Sequence, residues 1–213
     1  MKNVIVIGAN GRTAREAIIR LARQGDVALT LFLRRPERVA DLATEDMTVI
    51  AGDAHNREAL RAALAGQDIV IVALGGTDLD ETTANTVRAA EDAGARRIIA
   101  VNAGGIYDEL PEPFNTWDAA QVGFTRPANR RAADVVEQSS LDSTILRPVW
   151  LTDDDATDIE LTRRGETYRG TETSRASLGE FIAGLVAHPE SHIGENLGIS
   201  RPGTDGDRPA AYR

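Results

Sequence analysis

The stretch Gly8-Ala9-Asn10-Gly11-Arg12-Thr13-Ala14 is where residue type and spacing speak most directly of chemistry. It follows the apolar run Val4-Ile5-Val6-Ile7 and opens a segment with Ala14, Ile18, Leu21 and Ala22 along one helical face. A glycine turn between a buried strand and an amphipathic helix is the setting in which such a pattern binds a dinucleotide. Gly8 permits the tight turn, Gly11 lets the backbone approach a pyrophosphate, and Ala14 is small enough for the helix to pack on a sheet. Asn10, Arg12 and Thr13 complete the cradle. Unpaired amides at the helix start and the helix dipole both favour the anion. No Walker lysine follows, which disfavours a nucleoside-triphosphate loop.

The end of the second apolar run selects between dinucleotides. An acidic residue there accepts the ribose hydroxyls of NAD, whereas arginine suits the extra phosphate of NADP. This chain has Arg34-Arg35, and guanidinium groups clamp a phosphate with paired hydrogen bonds. NADP(H) is therefore the expected cofactor and NAD(H) the less favoured one, the alternative being a solvated basic pair at a strand end. Gly52-Asp53-Ala54 follows the third run and Ala73-Leu74-Gly75-Gly76 the fourth. Asp53 and Ala54 are expected beside adenine and the second group beside a ribose, unless either is a plain turn.

Elements able to position these residues recur along the chain. Short apolar runs at Val4 to Ile7, Ala28 to Leu33, Met47 to Ile50, Ile69 to Leu74, Arg97 to Val101 and Ser143 to Leu146 alternate with helical patterns, as strands buried on both faces of a parallel sheet do. The fold expected is an α/β Rossmann-type doubly wound parallel sheet of order 3-2-1-4-5-6, with helices on both faces and a small C-terminal lid. The 213 residues suit one NAD(P)-binding domain, 1-213, with 150-200 contributing a small substrate lobe. The irregular stretches from Asn102 to Thr125 and from Trp150 to Thr173 should lie at the carboxyl edge of the sheet, where such folds bind ligands. Ser177-Leu178-Gly179-Glu180 reads as a capping box that starts a helix near Leu178, and Gly203 to Arg213 as an exposed tail.

Composition removes several classes of function. A net charge of -9 disfavours nucleic acid as a partner, which leaves a small-molecule substrate. The absence of cysteine excludes disulfides, thiolate catalysis and cysteine-bound metal. No apolar stretch approaches the roughly 18 residues of a membrane span, and the N-terminus runs straight into the first strand, so a cytoplasmic monomer or homodimer with no membrane partner is expected. Asp153-Asp154-Asp155 with Asp158 and Glu160 lacks the glycine and terminal glutamate of a calcium loop and reads as a solvated acidic lip; His55, His188 and His192 are too scattered for zinc. No metal site is expected. Ser139 and Ser140 have no identifiable base, and Lys2 is the only lysine.

With the loop Val101-Asn102-Ala103-Gly104-Gly105-Ile106-Tyr107 and the segment Ser140 to Pro148, these motifs make nearly the whole chain resemble the atypical short-chain dehydrogenase/reductase superfamily. Its small NAD(P)H-binding, NmrA-like and biliverdin-reductase-B-like members are the most similar. The stretch from Arg130 through Thr152, with His192-Ile193-Gly194-Glu195-Asn196, is similar to one group of bacterial oxidoreductases within that assemblage. The resemblance implies that Asn102, Ala103, Pro148, Val149, Trp150 and Leu151 flank the nicotinamide. Trp150 would form an apolar wall there, or else belong to the core under the lid.

The commonest short-chain dehydrogenases pair a tyrosine with a lysine four residues later, a pair this chain lacks. Alignment of the Ala133-Asp134 helix places Arg130 at the lysine's position and Arg126 at the tyrosine's, and arginine does not donate a proton near neutral pH. The resemblance thus implies an NADP(H)-dependent oxidoreductase passing hydride to a small carbonyl, quinone or flavin-like acceptor without the Tyr-Lys pair. Asn102, Tyr107 and Arg130 are its candidate catalytic residues: Asn102 to orient an oxygen, Tyr107 or water to supply the proton. Tyr107 is otherwise an aromatic anchor for its loop, and Arg130 a bridge to an acidic neighbour. A noncatalytic NADP-sensing protein of the NmrA type is the alternative, and an isomerase or epimerase is least favoured.

Overall fold

In the computed structural model, which describes residues 1–213, the apolar runs line up as parallel strands. β1 (Lys2–Ile7) lies between β2 (Val27–Leu33) and β4 (Ile69–Val72), with β3 (Thr48–Ala51) outside β2 and β5 (Arg97–Val101) and β6 (Asp142–Pro148) beyond β4. The order 3-2-1-4-5-6 is as expected, and two further strands extend it. β10 (Glu195–Ser200) pairs parallel to β6, and β8 (Glu160–Thr162) closes that edge antiparallel to β10, giving eight strands.

Side chains alternate across the sheet. Val4 and Val6 of β1 enter one core with α1 (Arg12–Leu21) and α6 (Arg175–Ala187). Ile5 and Ile7 enter the other, with α2 (Arg57–Leu64), α3 (Leu79–Ala93) and α5 (Arg126–Glu137). Burial on both faces is why the runs are continuously apolar. α1 and α6 pack together so closely that a Cβ at Gly179 would lie 2.7 Å from the carbonyl carbon of Glu16.

Several strand ends differ from the sequence reading by one or two residues, and other details differ as well. β4 ends at Val72, because Ala73 and Leu74 already turn toward the glycine loop. α6 starts at Arg175, capped by Ser174, whose hydroxyl accepts from the Ser177 amide at 2.9 Å. Glu180, assigned to a capping box, instead reaches Arg20 on α1. Of the stretch 150-200, only β7 (Trp150–Thr152) and β9 (Glu172–Ser174) form a separate parallel ribbon; β8, α6 and β10 belong to the main sheet and its covering. The C-terminal segment is not a free tail, since Ala210 donates its amide to the Glu172 carboxylate and Tyr212 packs on Trp117 of α4 (Phe114–Val122) and on Trp150.

Candidate functional site

The turn after β1 is built for close approach. Gly8 has φ +86°, and a Cβ there would meet the Ala73 carbonyl oxygen at 2.7 Å, so glycine alone fits without strain. Gly11 donates to the Gly8 carbonyl at 2.9 Å and stands at the N-cap of α1, where no side chain caps the helix and no acidic residue occupies the first turn. The amides there and the positive end of the helix dipole are left for an external anion. Ala14 is fully buried against the sheet, as the packing argument required.

The turn opens onto a groove of about 580 Å³. Of the expected cofactor residues, Gly8, Asn10, Gly11, Arg34, Arg35, Asp53, Ala54, Ala73, Leu74 and Gly75 line it. Arg38, in the 3-10 turn Pro36–Val39, adds a third exposed guanidinium that the sequence reading missed. Its place four residues after Arg34, just past the turn-forming Pro36, was the available signal. Gly52 also lines the groove, and the Phe32 ring lies over it so closely that no side chain fits between them. Thr13 and Gly76 do not line the groove.

His55 was dismissed as a metal ligand and has another role. Its Nδ1 lies 2.9 Å from Asp53 and its Nε2 3.1 Å from Asp78, so it clamps the groove wall. The hydrogen bond to Asp53 raises the imidazole pKa, while the His55 amide and ring, hydrogen-bonded to Asp53, hold that carboxyl below its usual range.

Arg12 does not reach into the groove; it pairs with Asp153, whose other oxygen accepts from Arg175 at 2.6 Å. This bridge ties the start of α1 to the segment after β7 and to α6. Asp154 is engaged by Thr152 and Arg201, so the acidic lip is stitched to its surroundings by arginines, and no group of His, Asp and Glu is gathered to hold a metal.

The loop after β5 is a separate piece of construction. Asn102 donates from Nδ2 to the Asn129 carbonyl at 2.9 Å and accepts from the Ala103 amide at 2.8 Å. Gly104 donates to the Pro148 carbonyl at 2.8 Å, and Val149 and the Tyr168 ring lie against it. These contacts bring Asn102, Ala103, Pro148 and Val149 together at the carboxyl ends of β5 and β6; Trp150 and Leu151 continue from there into β7. Behind the loop, Glu109 accepts from the amides of Gly105 at 3.1 Å and Tyr107 at 2.7 Å and pairs with Arg147, both side chains sealed from water. Neither Glu109 nor the role of Arg147 was evident from the sequence.

The Tyr107 hydroxyl accepts from Asn196 Nδ2 at 2.9 Å, and its ring is bracketed by the guanidiniums of Arg164 at 4.5 Å, Arg130 at 4.6 Å and Arg147 at 5.2 Å. Burial, then the nearby Glu137 carboxylate, raises the phenol pKa. Arg130 pairs with Asp134 at 2.9 Å. Arg126 lies against Gly105 and is held by Asp118 at 2.8 Å and Asn115 at 3.0 Å. Lys2 pairs with Asp26 at 2.7 Å at the opposite, amino end of the sheet.

Residues 8–189 match the sequence profile of the NAD(P)H-binding family. Among solved structures, the chain is similar to a Rossmann-fold NAD(P)-binding family protein from Shigella flexneri, with 41% identity, TM-score 0.86 and 98% of each chain covered. It is also similar to a wide-type short-chain dehydrogenase/reductase from Veillonella parvula in complex with NADP: 27% identity, TM-score 0.89, 98% of this chain and 99% of that one covered. An anaerobillin reductase from Escherichia coli O157:H7 shares the fold at 24% identity and TM-score 0.83, with 96% of this chain and all 100% of that one covered.

Proposed function

Because the chain belongs to the NAD(P)H-binding family, we propose that it is an NADP(H)-dependent oxidoreductase that reduces a small carbonyl, quinone or flavin-like acceptor without a Tyr-Lys pair. The observation that carries the reading is the uncapped helix start beside a groove edged by three exposed arginines, Arg34, Arg35 and Arg38. Gly8, Asn10 and Gly11 cradle the pyrophosphate, with the backbone amides of Arg12 and Thr13 at the α1 start as donors and buried Ala14 setting how closely the helix sits on the sheet. The arginines take the adenosine phosphate through charge-assisted hydrogen bonds. Asp53 and Ala54 hold the adenine edge, His55 fixing the Asp53 carboxylate, and Ala73 to Gly76 border the ribose. Asn102, Ala103 and the Pro148 to Leu151 segment frame the nicotinamide.

When bound, the dinucleotide supplies the hydride. The chain's own part is to orient the acceptor, keep bulk water from the ring and leave a path for a proton. Lys2 is at the wrong end of the sheet, and the Tyr107 ring is clamped among the Arg130, Arg147 and Arg164 guanidiniums with its phenol pKa raised by burial, so water supplies the proton and Tyr107 anchors its loop. Arg126, held beside Gly105 by Asp118 and Asn115, fixes the backbone of the loop at the acceptor end.

A noncatalytic NADP sensor is the second reading, favoured by the engagement of Asn102, Tyr107 and Arg130 in bonds within the chain. NADPH oxidation across a panel of quinones, flavins and carbonyls separates the two. The oxidoreductase reading predicts turnover with at least one class and an unchanged kcat in Tyr107→Phe. Tight NADPH binding with no turnover across the panel supports the sensor, and a large loss of kcat in Tyr107→Phe restores that tyrosine as the proton donor.

A further inference from the structure

Three aromatic side chains from distant parts of the chain meet at the acceptor end of the sheet. Trp117 of α4 and Trp150 of β7 have ring centroids 4.9 Å apart at 67°, and Tyr212 lies 5.3 Å from the first and 5.2 Å from the second. These are the separations at which edge-to-face pairs attract. Trp117 packs on the small cluster containing Val149 and Tyr168, and both of those lie against Gly104 in the loop after β5. The corner made by the two tryptophans therefore adjoins the segments placed above around the nicotinamide.

Tyr212 differs from its two partners in how it is held. It is 49% exposed, whereas both tryptophans are partly buried. Pro209 is the last buried residue before it, and Ala210 to Arg213 are all exposed. The Arg213 guanidinium donates only to carbonyls of its own segment, at Thr204, Asp205 and Arg208. Thr204 is tied to Thr171 by two hydrogen bonds, and the tie nearest the ring runs from the Ala210 amide to Glu172, two residues short of it. The side-chain contacts of Tyr212 within the chain are those with the two tryptophans, so stacking on them is what keeps the ring in place.

We propose that Tyr212 is a displaceable cover and that a planar conjugated acceptor of the quinone or flavin class takes its place against Trp117 and Trp150. The inference rests on the oxidoreductase reading above and names the acceptor class for that same site. A fused ring system offers the tryptophans more apolar area than a phenol and displaces it, while a small aliphatic carbonyl does not. In the reaction a quinone takes a hydride from bound NADPH and a proton from water, leaving as hydroquinone, with NADP⁺ as the other product.

The test uses the full chain, Tyr212→Ala and Tyr212→Phe, with menadione as the acceptor probe. Menadione affinity is read from tryptophan quenching in the presence of NADP⁺ and its KM from NADPH oxidation, and NADPH affinity is measured separately. Removing the competing ring should lower the menadione Kd and KM by about three- to tenfold, the range one aromatic pair supports. Tyr212→Phe, which keeps the ring, should retain the parent values, and the NADPH Kd should hold across all three. A menadione Kd that is unchanged or raised in Tyr212→Ala, or menadione binding to neither form, overturns the proposal. Menadione binding without NADPH oxidation overturns the quinone as acceptor, the panel above decides the oxidoreductase reading separately, and the Kd comparison still decides the role of Tyr212.

Discussion

Glu109 and Arg147 form an ion pair with side chains 2% and 0% exposed, under the loop that follows β5. The carboxylate is made tolerable there by the Gly105 and Tyr107 amides, and the guanidinium by Asn196. Removing one partner leaves the other charge buried and unpaired, which costs about 3–5 kcal/mol. Glu109→Gln is therefore predicted to lose that much stability in urea unfolding; a loss below about 1 kcal/mol, the range of a surface pair, would contradict the role assigned to it. Arg34 and Arg35 were legible because they follow β2 directly. Glu109 was not, because its partner lies 38 residues away and the fold alone brings them together. For the same reason Tyr107 offered two readings in the sequence, and only its contact with Asn196, 89 residues on, favours the anchor.

Elements were legible where apolar periodicity was strong. The six strands of the main order announced themselves, whereas β10 (Glu195–Ser200) carries Glu, Asn, Gly and Ser and is recognisable only once β6 offers it an edge. The start of α6 shows the limit of capping rules: Ser174 and Ser177 both fit locally, and packing of the first turn chose Ser174. Helix glycines carry a sharper lesson, since Gly179 and Gly184 lie in one helix with opposite surroundings. A Cβ at Gly179 meets Glu16 backbone atoms at 2.7 and 2.9 Å, and one at Gly184 meets nothing within 4 Å. Gly179→Ala is thus predicted to destabilise by about 1–3 kcal/mol through forced separation of α1 and α6. Gly184→Ala should stabilise by about 0.5–1 kcal/mol through helix propensity. Thermal unfolding of the two variants checks the signs, and a shift of the same sign in both would mean that helix contact does not govern position 179.

Across the whole molecule, the parallel order around β1 places the ends of β1, β2, β3 and β4 along one groove, so residues 8, 34, 53 and 73 meet although the sequence scatters them. A chain of net charge -9 gathers three arginines at one end of that groove, the concentration of positive charge on which the proposed preference for NADP(H) rests. The proposed acceptor end, at the loop after β5, the β7–β9 ribbon and the C-terminal segment, was the least legible part, because its contacts are irregular and long-range. The most direct test of the account is a tryptophan fluorescence titration with NADPH and NADH side by side on the full chain, Arg34→Ala and Arg38→Ala. Charge-assisted hydrogen bonds of about 1.5–3 kcal/mol predict that the parent prefers NADPH by at least roughly tenfold and that each variant loses about tenfold of that preference. Equal affinities in the parent, or a preference unchanged in both variants, would contradict the assignment of NADP(H), and binding of neither nucleotide would contradict the site itself.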